Sequence, residues 1–307
     1  MLDVYGGPSS ERASARNIHI NYVLIDGSKR AEAEQWLYEL VDAPDYSNLF
    51  DGTEWASIRQ VAPLLVRTEP SHPQLGQLLS EVKVLECGYG IVSEKSLDTV
   101  ADHLRQFHKV RHPLGHEVML RFADPTVARV LLAPSGEGGV PEYWSTLEAV
   151  NLPDALWDGW HIKVQPEPPG AGLKKGEAAP FQISELTLRG LVDTDRRATL
   201  VKLFQHLEMY FPDRLATTPR AEVISMLRAM MNQAINNGYT SLQALTHWST
   251  VFGYLGDADQ WHRVAPDIHQ VFHSRPSEAG GSEARMAALA AMEIAQMQNA
   301  GRAQSWE

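Results

Sequence analysis

Cysteine is almost missing from the 307 residues: Cys87 is the only one, so no disulfide can form within the chain. A lone thiol fits a reducing compartment. Basic charge is in deficit, with 27 Lys and Arg against 38 Asp and Glu and a formal charge of −11. Nucleic-acid binding needs a basic face for the phosphates, and an anionic membrane surface selects one too. The balance argues against both kinds of partner. No stretch reaches the ~18 consecutive apolar residues of a spanning helix, and the apolar run from Met286 to Ala295 is interrupted by Glu293. Met1 to Asn17 is polar and lacks the apolar core of a signal peptide. The expectation is a cytoplasmic protein with a flexible tail over 1–17.

What remains is an ordinary globular composition, 44% hydrophobic and 21% charged, with length for about two domains. The segment 18–164 alternates short strands and helices. Ile18 to Ile25 is β-branched and ends at Asp26-Gly27, a turn signal. Ser28 is placed to cap a helix bearing Trp36, Leu37, Leu40 and Val41. Asp51-Gly52 is a second turn, and a strand follows at Leu64 to Thr68. Pro73 suits a helix start, with Leu75, Leu78, Leu79 and Val82 on one face. Gly88 to Val92 reads as a strand, Ser96 as the cap of the next helix, and Val118, Leu120 and Phe122 as a half-buried strand. The order predicts an α/β (α+β) lobe with a mixed sheet.

Gln165 to Pro180 is rich in Pro and Gly and reads as a linker over 165–180. The period then becomes helical, so an all-α lobe is expected over 181–273. Leu200, Leu203, Phe204 and Leu207 form one stripe, and Asn237-Gly238 stops a later helix. Ser241 opens another, bearing Leu242, Leu245, Trp248 and Phe252. A flexible stretch over 274–282 precedes a terminal helix over 283–300.

Few residues suggest chemistry. His108, His112 and His116 are four apart, but Pro113 and Gly115 break the helix that would align them on a metal. Gly88-Tyr89-Gly90 lacks the third glycine of a dinucleotide fingerprint and fits a close backbone approach instead. Cys87 reads as a small buried hydrophobe. The best enzymatic case is Asp26, Asp51 and Asp124, each following an apolar segment, with Arg67 and Arg121 as partners. Converging carboxylates would serve a metal-dependent hydrolase or phosphotransferase; Asp is equally at home in plain turns. Tyr254 and Trp261 lie off the clean helical stripe and are candidate partner anchors. Met286, Leu289 and Met292 give the last helix an adaptable apolar face.

Read together, Tyr22-Val-Leu-Ile-Asp-Gly27, Leu49-Phe-Asp-Gly52, Ala62-Pro-Leu-Leu-Val-Arg67, Gly88-Tyr-Gly-Ile-Val92 and Leu120-Arg-Phe-Ala-Asp-Pro125 occur in an order that resembles a known family. It is the adaptor, or effector-chaperone, domain of bacterial type VI secretion systems. The resemblance covers about 18–150, and the helical part is similar to the C-terminal lobe of such proteins. It implies a non-enzymatic cytoplasmic adaptor without cofactor or metal. Its partners would be a secreted toxic effector and the VgrG spike protein, often through a PAAR tip domain. The family motifs fall on Asp26, Gly27, Asp51, Gly52, Arg67, Arg121, Asp124 and Pro125, which turn chemistry already explains as scaffold. Ala123 departs from the aromatic that the motif around Arg121 usually carries.

Overall fold

The structure is a computed structural model and describes residues 19–69, 74–166, 181–276 and 282–304. The expected tail at 1–17, Pro73, and most of the stretches 165–180 and 274–282 lie outside the described residues. The chain divides into two compact units, Met1–Arg197 and Ala198–Glu307. An α/β region precedes an all-helical one, as the change of period at about residue 183 requires.

In chain order the first unit holds β1 (Tyr22–Ile25), α1 (Ala33–Leu40), β2 (Tyr46–Asn48), β3 (Leu64–Arg67) and α2 (Leu75–Leu85). Then come β4 (Gly88–Val92), α3 (Leu97–Arg105), β5 (Lys109–Arg111), β6 (Glu117–Met119) and α4 (Pro125–Leu131). The hairpin β7 (Ala149–Asp154) and β8 (Gly159–Val164) follows, then β9 (Phe181–Gln182) and the long α5 (Glu185–Tyr210), whose residues after Arg197 belong to the second unit. Six strands form one sheet in the order β2-β3-β1-β4-β7-β8, and every neighbouring pair is antiparallel. Mixed pairing is confined to the small sheet β6-β5-β9, where β5 and β9 run parallel.

β1 is a continuous apolar run because both its faces are covered. Tyr22 and Leu24 enter one core with Val100 and Leu104 of α3 and Val127 and Leu131 of α4. Val23 and Ile25 enter the other, with Trp36 and Leu37 of α1 and Leu78 and Val82 of α2. Each such buried side chain contributes roughly 1.5–3 kcal/mol. Gly88 is required where β4 meets β1: a Cβ there would sit 2.1 Å from the Leu24 carbonyl oxygen. The helix expected after Ser28 forms later. Its cap position is Glu32, without a side-chain cap bond, and the Ser28 hydroxyl instead donates to Asp26 Oδ1 at 2.6 Å.

The second unit adds α6 (Pro212–Thr217), α7 (Arg220–Asn236), α8 (Leu242–Leu255), α9 (Trp261–Val264), α10 (Pro266–His273) and α11 (Glu283–Gln304). Val223, Leu227, Met230 and Ala234 face inward from α7, and Leu245, Trp248 and Phe252 from α8. Ser241 caps α8 through an Ala244 N–H bond to its Oγ, at 3.2 Å. The Glu283 carboxylate reinforces that cap, accepting the N–H of Thr240 and of Ser241 at 2.6 Å each. Burial pushes the Glu283 carboxyl upward, but these donors prevail and hold it below the usual range.

Candidate functional site

Asp26, Gly27, Arg121, Asp124 and Pro125 meet where β1 ends and α4 begins. Asp26 is buried and folds its Oδ1 back onto the Ser28 N–H at 2.9 Å, closing an Asx turn. Gly27 must follow, because a Cβ at that position would lie 2.2 Å from the Ala62 carbonyl oxygen. Asp124 caps α4 by accepting the Thr126 N–H at 2.9 Å, with Pro125 in the first turn. Arg121 joins the two turns: its Nη2 lies 2.8 Å from Asp26 Oδ2 and 3.8 Å from Asp124 Oδ2. Lys29 Nζ lies 3.0 Å from Asp124 Oδ2.

Asp51 and Arg67 stand apart from this cluster. Asp51 is exposed beside Arg59 at 3.4 Å, next to Gly52 with φ of +76°. Arg67 pairs with Asp45 at 3.8 Å. The three-carboxylate centre therefore does not assemble. Asp26 and Asp124 have their oxygens engaged by N–H, O–H and cationic donors, and Asp51 is elsewhere. Among the described residues no three His, Cys, Asp or Glu side chains gather as a metal-holding group.

The histidine triplet disperses in the same way. His108 is buried against the rings of Phe50, Trp55 and Phe122, and burial pushes it down to about 4 despite the Leu49 carbonyl beside it. His112 and His116 stack at 4.4 Å across the β5–β6 turn. Cys87 is fully buried, and burial pushes its thiol up to about 11, away from nucleophilic use.

A second ionic cluster, absent from the sequence reading, lies inside the first unit. Arg197 of α5 is completely buried and clamps Glu86 with two bonds of 2.6 and 2.7 Å. It also reaches Asp154 Oδ1 at 3.0 Å and Thr126 Oγ1 at 3.2 Å. Asp154 further meets Arg129 at 3.3 Å and His161 at 3.0 Å. Burial alone would raise both carboxyls. The Arg197 bonds and charge hold Glu86 below its ordinary value, and His161, Arg129 and Arg197 do the same for Asp154. Lys29 connects the two clusters, since its Nζ also donates to the Glu86 carbonyl at 3.0 Å. One ionic chain thus runs from half-exposed Arg121 to sealed Arg197, tying β1, α2, α4, β7, β8 and α5. Along it each carboxylate faces at least one cationic side chain.

The segment built around these turns matches a family model described as Domain of unknown function (DUF4123), over residues 21–138. Over this segment the chain is similar to that family. The match falls on the stretch whose motifs resemble the type VI adaptors. The accessory protein VasW of Vibrio cholerae serotype O1 is 24% identical over 272 residues, 87% of each chain, so the likeness continues past that segment into the helical unit. No solved structure matches.

The expected partner anchors in the helical unit divide. Trp261 is a correction: it is 0% exposed, its Nε1 donates to the Gly256 carbonyl at 3.0 Å, and its ring packs on Trp248 and Phe272. Its distance from the clean stripe reflects a separate short helix folding back into the same aromatic core. Tyr254 is half-buried, edge-on to Phe211 at 4.9 Å. Met286 is half-buried. Leu289 and Met292 are exposed, at 57% and 58%, because α11 turns Ala287, Ala290, Ala291 and Ile294 inward instead. No helix of the described residues is long and apolar enough to cross a membrane.

Proposed function

We propose that this chain is a non-enzymatic cytoplasmic adaptor of a type VI secretion system, which binds a toxic effector and helps load it onto the VgrG spike. One observation carries the reading. The motif-bearing segment matches the DUF4123 family model, and the likeness to an accessory protein extends over 87% of both chains. The physical state of the motif residues supports it. Asp26 and Asp124 are balanced by Arg121 and Lys29 and brace turns, as suits a binding scaffold. The acidic chain suits a basic cargo segment, and capture driven by that charge weakens as salt rises. The outward Leu289 and Met292 of α11 offer an adaptable apolar contact to the effector.

The test is a pulldown from the native bacterium with the tagged full-length chain, read by mass spectrometry. It is repeated with a chain lacking residues 282–307. Recovery of a spike protein with one toxin-like protein is expected, and loss of only the toxin on truncation assigns the cargo grip to α11. Recovery of neither, while the secretion genes are expressed, overturns the proposal.

A further inference from the structure

β8 closes one side of the six-stranded sheet and, among the described residues, pairs only with β7. Gln165 donates its N–H to the Glu148 carbonyl at 2.8 Å, which fixes the phase of bonding along this hairpin. Antiparallel bonding alternates every second residue. Gly159, His161 and Lys163 therefore bond inward to β7, and Trp160, Ile162 and Val164 turn their N–H and C=O groups to the open edge. The same three residues share one sheet face. Trp160 packs at the margin of the core under α1 and α2, whereas Ile162 and Val164 are left 39% and 61% exposed. On the opposite face Lys163 makes no ion pair among the described residues.

We propose that the β8 edge is a strand-addition site, which takes an extended segment of another protein as a seventh strand. The segment has apolar side chains at alternate positions, set against Trp160, Ile162 and Val164, and a carboxylate between them opposite Lys163. Unpaired edge N–H and C=O groups select extended backbone over a helix, and the apolar alternation selects its side chains. Charge selects the occupant. Lys163 is complemented by a carboxylate, while a second copy would bring another −11 to the contact. The inference stands apart from the adaptor reading, because it concerns the mode of grip and not the identity of what is gripped.

The probe is a fluorescent eight-residue peptide of alternating valine and threonine with one central glutamate in a threonine position. It is titrated against the full chain by anisotropy, with hydrogen exchange on the Ile162 and Val164 amides. Binding and protection of those two amides are expected. Ile162→Pro removes an outward N–H without breaking the β7 ladder, so the fold survives and affinity falls about tenfold. Lys163→Glu weakens the glutamate peptide about threefold and is rescued by a lysine peptide. Millimolar peptide without binding, or binding unaffected by Ile162→Pro, overturns the proposal. Self-association of the chain that Ile162→Pro abolishes also overturns it, by giving the edge to a second copy.

Discussion

At the scale of residues, Arg197 and Arg121 make a contrast. Both pair with carboxylates, but Arg197 is sealed and Arg121 is half-exposed. Arg197→Met strands Glu86 in the interior, while Asp154 keeps Arg129 and His161, and is expected to cost about 3–5 kcal/mol in urea denaturation at neutral pH. Arg121→Met removes a guanidinium that solvent already screens and leaves Asp26 its two Ser28 donors, so it costs about 1 kcal/mol or less. Equal losses would contradict the burial difference. Titration gives a second expectation. His108 is held neutral near 4, against 6.5 for an ordinary histidine. The unfolded chain takes up its proton first, so this stability is present above 6.5 and is lost as pH falls toward 4. The loss is up to about 3 kcal/mol. Glu86 and Asp154 are depressed below ordinary values of 4.5 and 3.8, so their contribution is lost as pH falls further. Melting temperature should decline from pH 7 to pH 4, and His108→Asn should flatten the upper part of that decline. A flat profile in the native chain would contradict the buried neutral state.

At the scale of elements, local signals were readable and distant ones were not. Ser96 and Ser241 cap the helices their spacing predicts. Gly88 to Val92 is the expected strand, and Asn237-Gly238 ends α7 with a φ of +98° at the glycine. Each of these rests on neighbours within a few positions. Asp124-Pro125 opens α4, since the residue types that favour turns also serve helix caps. Arg197 gave no signal: it sits in a polar stretch of α5, and its partners lie 111 and 43 positions away. Trp261 misled for the same reason, since its neighbour Phe272 comes from α10. Capping also yields an expectation. Ser241→Ala should cost about 1 kcal/mol, and Glu283→Ala should speed hydrogen exchange in the first turn of α8. Unchanged exchange would mean that Glu283 does not hold that turn.

At the scale of the whole molecule, the charges are spent on architecture and the unspent surfaces lie elsewhere. The ionic chain from Arg121 to Arg197 braces the first unit, while the β8 edge and the outer face of α11 carry apolar groups without a covering element among the described residues. That distribution suits a protein whose work is to hold other proteins. Residue types and order exposed the family resemblance, because turn motifs are local. They did not expose the β8 edge or the outward face of α11, because exposure is settled only when strands and helices are assembled. The most direct measurement is effector secretion from the native bacterium after deletion of this gene, with spike protein release followed in the same cultures. Loss of one toxic effector from the medium, with VgrG still released and the effector restored by the full-length chain, is the expected result. Unchanged effector secretion in the deletion strain would contradict the adaptor function.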